Sequence, residues 1–197
     1  MLKCIDINIR GGNVEVKAKL TLEEFFALPE GDITYELVDG EAKPKLLPKR
    51  FHSRLTGIFC LLLTQWNQDR GEVGVEWAIR LKRKGHDWVP IPDLLYISAD
   101  RDRGDRILDE ACPVPPELAI EIISPDQSFG EISGKAIDYL NAGVSRVWIV
   151  DAKVKTITIF YPDSPPQTKR GDEVITDELF PGLEFTPGQI FDDAKIP

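Results

Sequence analysis

Apolar and polar positions alternate with a period of two in the first stretch, KCIDINIRGGNVEVKAKL, around the break Gly11-Gly12, which predicts a short hairpin or extended arm over residues 1–19. In LTLEEFFALP the period lengthens: Leu22, Phe25, Phe26 and Leu28 form one apolar face. Thr21 followed three residues later by Glu24 supplies a capping-box start, and Pro29 a stop. ITYELVDGEAKPKLL reads as two short strands joined at the turn dipeptide Asp39-Gly40. From about Lys49 to Asp69, apolar residues at Leu55, Ile58, Phe59, Leu62, Leu63 and Trp66 predict the longest helix, ending before Gly71.

Three segments of strand character follow: GEVGVEWAIRLK, IPDLLYIS and ELAIEIIS. Between the last two runs the charged, Gly- and Pro-containing stretch ADRDRGDRILDEACPVPP, an exposed loop. Phe129, Ile132, Ala136, Tyr139 and Leu140 then recur at helical spacing before Gly143, so a helix is expected over about Phe129 to Asn141. Trp148-Ile149-Val150 and KTITIFY, separated by a turn at Asp151 to Lys153, form a hairpin. Residues 162–197 are rich in proline, glycine and acids, with apolar anchors at Leu179, Phe180, Leu183, Phe185, Ile190 and Phe191 that should pack this extension onto the rest. With no internal repeat, the 197 residues are expected to form one domain.

Composition narrows the class. The N-terminus lacks a signal peptide's apolar stretch, and no apolar run approaches the roughly 18 to 20 residues of a membrane span, so a cytoplasmic protein without membrane contact is expected. Cys4, Cys60 and Cys112 are far apart and in no zinc-ligand spacing, which points to reduced thiols. The net charge of −9 argues against a general nucleic-acid coat, but the acids lie towards the C-terminus. Basic residues gather at Lys43, Lys45, Lys49, Arg50 and Arg54 and again from Arg80 to Lys84, and together they could form one positive rim.

Candidate chemistry comes from carboxylates inside apolar runs. Asp93 in IPDLLYIS and Glu121 in ELAIEIIS sit where an uncompensated charge is costly. On neighbouring strands the two could share one hard cation, with the Ile122 carbonyl as a further ligand and water and substrate phosphate completing the shell. The pattern equally admits Asp93 as a turn residue after Pro92 and Glu121 as the partner of an arginine. A lysine two residues after the glutamate would share its face, but that position is Ile123. Lys135, between Ile132 and Tyr139 on the following helix, has a stem long enough to carry an ammonium back over the carboxylates.

At these residues the chain resembles the Uma-two-type restriction endonucleases, a branch of the PD-(D/E)XK nuclease superfamily in which the motif lysine has moved from the strand to the following helix. The matching segments are TLEEFFALP, YELVDGE, HSRL from His52, PDLLYIS, ELAIEIISPDQS, Lys135, Tyr139, the Ala142-Gly143-Val144 turn and VWIVD, covering roughly residues 20–160. The resemblance implies an α/β, restriction-endonuclease-like fold with a mixed central sheet flanked by helices. It implies a Mg²⁺-dependent endonuclease, Mn²⁺ serving in its place, that hydrolyses phosphodiester bonds of DNA. Asp93 and Glu121 become metal ligands, Lys135 the active-site lysine and Glu36 an extra acid reaching the same site. Glu131 stands where many members have aspartate, and Gly134 precedes the lysine where helix formers are common. His52, Arg54 and Lys82 are the candidate substrate contacts, His52 against the commoner role of a surface histidine. Cutting a duplex calls for two sites and hence a homodimer. The alternative reading is a binding or assembly module that keeps the fold without turnover.

Overall fold

A computed structural model describes residues 8–10, 13–15, 19–29, 31–102 and 108–197. The N-terminal part carries β1 (Asn8–Arg10) paired antiparallel with β2 (Asn13–Glu15), a short helix α1 (Leu22–Phe26), and a second hairpin of β3 (Tyr35–Val38) and β4 (Glu41–Pro44). Gly11-Gly12 and Cys4, and residues 103–107 of the charged loop, lie outside the described residues. Thr21 and Glu24 form the reciprocal capping box that opens α1. The β3–β4 turn is made by Asp39 at φ 55° and Gly40 at φ 82°, the left-handed pair that a two-residue hairpin turn demands.

Next comes α2 (Arg50–Asn67), the longest helix, whose buried stripe is His52, Leu55, Phe59, Leu63 and Asn67. The apparent single strand GEVGVEWAIRLK is divided. β5 (Gly71–Val75) ends where Glu76 turns to φ 50°, and after a lone bridge between Ile79 and Cys112 pairing resumes in the hairpin of β6 (Leu81–Arg83) and β7 (His86–Trp88). The Glu76 amide donates to the Asp93 carbonyl at 3.2 Å, so the chain leaves the sheet beside the candidate site.

The central sheet is completed by β8 (Leu94–Ser98), β9 (Leu118–Ile122), β10 (Arg146–Asp151), β11 (Thr156–Phe160) and β12 (Gln167–Arg170), in the order β12-β11-β10-β9-β8-β5. Only β9 and β10 pair in parallel, through the crossover helix α3 (Phe129–Asn141); the other pairs are antiparallel, so the sheet is mixed. Both faces are covered, which is why β8 and β9 read as continuous apolar runs. Leu94, Tyr96, Leu118, Ile120 and Ile122 face α2, and the same cluster includes Phe180, Leu183, Phe185, Ile190 and Phe191 from the last segment and its helix α4 (Pro187–Asp193). Leu179 stays exposed. Leu95, Ile97 and Ala119 face the other way, onto Ile132, Ala136 and Tyr139 of α3. Glu121 alternates with Ala119 and therefore lies on the α3 side.

A smaller cluster of Leu20, Leu37 and Val89, backed by Leu22 and Phe25 of α1, fixes the β3–β4 hairpin to the body. Leu37 and Val89 exchange both backbone hydrogen bonds, at 3.1 and 3.0 Å. With Leu37 turned into that cluster, its neighbour Glu36 is turned out of it towards the site.

Candidate active site

Asp93 lies one residue before β8, and its backbone amide donates to the Ile120 carbonyl at 3.0 Å. In return the Ile122 amide donates to Asp93 Oδ2 at 2.7 Å, so Asp93 is anchored at the end of β9 through its backbone to Ile120 and through its carboxylate to Ile122. Both acids are buried, with 2 % and 5 % of their surface exposed, a burial that demands partners. Asp93 Oδ1 meets the Lys45 ammonium at 3.0 Å, and Oδ2 meets His52 Nε2 at 3.0 Å. Glu121 Oε1 meets Lys135 Nζ at 2.9 Å and accepts the Tyr139 hydroxyl at 2.8 Å. Lys135 Nζ also donates to Glu36 Oε1 at 2.8 Å, and that oxygen accepts the Ile91 amide at 2.8 Å.

The electrostatics follow from these contacts. Burial works against the Asp93 carboxylate, but the His52 hydrogen bond, the Lys45 charge and the Ile122 amide outweigh it and hold the group below the usual aspartate range. Burial pushes the Glu121 carboxyl up to about 7, with the negative charges of Asp93 and Glu36 adding to the rise and Lys135 opposing it. Burial alone would lower Lys135, yet Glu121 and Glu36 keep its ammonium above the ordinary lysine value. Lys45 is raised likewise, burial being outweighed chiefly by Asp93. The site is thus two buried carboxylates, each already bonded to its own ammonium.

Several placements differ from the reading of the sequence. Lys135 spans Glu121 and Glu36 rather than the Asp93–Glu121 pair, and among the described residues neither acid pairs with an arginine. His52 is buried against Asp93, with Thr56 Oγ1 3.4 Å from its other ring nitrogen, and is no surface histidine. Arg54 donates to the Lys195 carbonyl at 3.2 Å and Lys82 pairs with Asp87 at 2.6 Å, so both are engaged away from the carboxylates. Lys45 was only one of a basic group in the sequence. The signal that singles it out is the β3–β4 register: Glu36 pairs with Lys43, and Lys45, two residues on, shares that face. His52, a candidate substrate contact in the sequence, lies three residues before Leu55 on the buried stripe of α2, the spacing that turns it inward. Of the proposed basic rim, Lys43 and Arg83 line the cleft beside Lys135, Lys49 and Arg50 line another beside His52, and Arg80 turns to Glu110.

The donor set suits one kind of ion. Among the described residues no three His, Cys, Asp or Glu side chains form a ready-made cage, which disfavours an all-protein zinc or calcium site. Two carboxylates could hold a divalent cation that keeps most of its water ligands. Burial, with a smaller contribution from the charges of Asp93 and Glu36, raises Glu121, and a bound cation would offset both.

A family model described as Uma2, putative restriction endonuclease, matches residues 22–188. Among solved structures, the crystal structure of a putative nuclease belonging to DUF820 from Anabaena variabilis ATCC 29413 is similar to this chain, with a TM-score of 0.78 and 22 % identity. The similarity covers 89 % of this chain and 99 % of that one, which establishes the restriction-endonuclease-like α/β fold. No curated protein matches the chain significantly. Among the described residues no helix is long and apolar enough to cross a membrane.

Proposed function

The chain belongs to the Uma2 restriction endonuclease family, and on that premise we propose that it is a Mg²⁺-dependent endonuclease, Mn²⁺ serving in its place, that hydrolyses phosphodiester bonds of DNA. The observation that supports this most is the Lys135 ammonium held 2.9 Å from Glu121, on a strand whose end is bonded to the Asp93 carboxylate. Asp93 and Glu121 are the residues that would hold the ion, with the Ile122 carbonyl and Glu36 as candidate further ligands. The bound ion supplies a Lewis acid that activates water and polarises a phosphoryl oxygen.

The remaining work falls to the protein. Lys135, kept protonated by its two acids, stabilises the negative charge that develops at phosphorus or orients the attacking water. Tyr139 fixes the Glu121 oxygen that Lys135 shares, while Lys45 and His52 hold Asp93 in one orientation and ionised. Hydrolysis by direct attack of water needs no covalent enzyme intermediate. A homodimer would present two such sites, one for each strand of a duplex.

Purified protein with Mg²⁺ or Mn²⁺ is expected to nick or cleave DNA. Asp93→Ala and Glu121→Ala should abolish both cleavage and calorimetric metal uptake. Lys135→Ala should leave metal uptake in place and lower the rate by about 10² to 10³, the usual loss for one preorganised charge-stabilising group. If the wild-type protein cleaves no single- or double-stranded DNA or RNA with either metal, and takes up no cation in an Asp93-dependent way, a non-catalytic binding or assembly module becomes the better account.

A further inference from the structure

A cleft of about 760 Å³ opens between the start of α2, the start of α3 and the β10–β11 turn, and His52, whose Nε2 lies 3.0 Å from Asp93 Oδ2, forms part of its wall. Two aromatic side chains line it, Phe51 and Phe129, exposed to 40 % and 43 %. Neither belongs to a core cluster. The cations Lys49, Arg50 and Lys153 line the same cleft against one acid, Asp151, whose Oδ1 is taken up by the Lys153 and Val154 amides of the turn. Lys49 pairs with Asp126, whereas among the described residues Arg50 and Lys153 pair with no carboxylate. This is a positive pocket on a chain of net charge −9.

The cleft on the other side of the site, beside Lys135, holds five carboxylates against three cations and would repel a phosphate chain. A strand reaching Asp93 and Glu121 is therefore expected to run through the positive cleft. The exposed phenyl rings then restrict what kind of strand it is. In a duplex the faces of the bases are stacked on one another, so only unpaired bases can stack on Phe51 and Phe129, and a positive groove with interleaved aromatics is the form that single-strand recognition takes. We propose that this cleft is a subsite for unpaired nucleotides, with bases against Phe51 and Phe129 and phosphates against Arg50 and Lys153, so that the adjoining phosphodiester of a single-stranded or locally unpaired nucleic acid is delivered to Asp93. The inference rests on the nuclease reading for its substrate class and specifies the strand that the nuclease takes.

The test is binding without turnover: fluorescence anisotropy of labelled single-stranded and duplex DNA of equal length, with EDTA present and the full chain. The single strand should bind at least about tenfold more tightly than the duplex. Phe51→Ala and Phe129→Ala, both at exposed positions, should keep the wild-type melting temperature and each weaken single-strand binding by about 5- to 150-fold, the range for one lost base stack. Arg50→Ala and Lys153→Ala should each reduce the slope of log affinity against log salt by roughly 0.7. Equal or tighter duplex binding, or phenylalanine variants that bind like the wild type, would overturn the subsite, as would a self-associating protein whose oligomer the two variants dissolve without any oligonucleotide binding. If metal-dependent cleavage is lost in Asp93→Ala while the phenylalanine variants keep an unchanged strand preference, the nuclease reading stands and the subsite falls. Selective single-strand binding by a protein that cleaves nothing would leave the subsite standing and remove the nuclease.

Discussion

Glu121 is the residue at which burial and chemistry pull hardest against each other. Its carboxyl is raised to about 7 in the fold by burial and by its acidic neighbours, so the folded state binds a proton that the unfolded chain, titrating near 4.5, releases. Stability therefore falls as pH rises between those two values, and metal uptake, which needs the carboxylate, should strengthen as pH rises towards and through 7. Calorimetry across that range tests the second expectation; a Glu121→Gln variant whose melting temperature loses the corresponding pH slope tests the first. Lys45 offers a separate check, because its ammonium occupies the Asp93 oxygen that an ion would take. Lys45→Met should lower the melting temperature of the metal-free protein and tighten Mn²⁺ binding by about tenfold or more, since a unit charge at such a distance is worth a few kcal/mol even at an effective dielectric of about 20. Unchanged affinity would mean that Lys45 does not rest on Asp93 in solution. Asp93, Glu121 and Lys135 were picked out from the strand runs and the resemblance, and the fold brings them into one hydrogen-bonded cluster. Lys45 was named only within a basic group and His52 only as a candidate substrate contact, because their bonds to Asp93 depend on how the β3–β4 hairpin and α2 dock against the sheet end.

At the scale of the element, α3 decides how firmly Lys135 is held. Its bounds were readable because apolar residues three, seven, ten and eleven positions after Phe129 are followed by a glycine with φ 102°. Glu131, a departure from the family's usual aspartate, secures the start of the helix. Its carboxylate accepts from the Ser128 amide at 2.8 Å while its own amide donates to Ser128 Oγ, which closes a capping box. Gly134 is the weak point of the helix, but nothing lies within 4 Å of where a Cβ would stand. Gly134→Ala should therefore stabilise the protein by about 0.5–1 kcal/mol, measured by denaturant titration, without altering metal affinity. Ser128→Ala should cost about 1 kcal/mol by the same measurement. The division of GEVGVEWAIRLK into β5 and β6 was the element the sequence concealed. The segment is uniformly strand-like in composition, and what breaks it is a left-handed Glu76 bonded to Asp93, a tertiary contact.

For the whole molecule the question is whether the acidic last segment is an appendage or part of the domain. Its composition suggests a surface extension, yet its aromatic anchors complete the core on the α2 face of the sheet. Phe185 lies 6.2 Å from Phe59 and 5.4 Å from Trp148 between ring centres, and Phe180 lies 6.0 Å from Trp148. Each removal of a buried phenylalanine ring typically costs about 3–5 kcal/mol, so losing Phe180, Phe185 and Phe191 together would match or exceed the roughly 5–15 kcal/mol that holds an ordinary domain. A chain ending at Tyr161 is therefore expected to show no cooperative unfolding transition, even though every residue proposed to act on a phosphodiester is still present. The single change Phe180→Ala should keep a cooperative transition, lower stability by about 3–5 kcal/mol, and leave the Kd for Mn²⁺ unchanged, because that ring is in the α2-side cluster whereas Glu121 and Lys135 lie on the α3 side. A truncated chain that still melts cooperatively near the wild-type temperature would show that the segment decorates the domain. A Phe180→Ala protein with much weaker metal binding would show that the two faces of the sheet are coupled through the strands that carry the site.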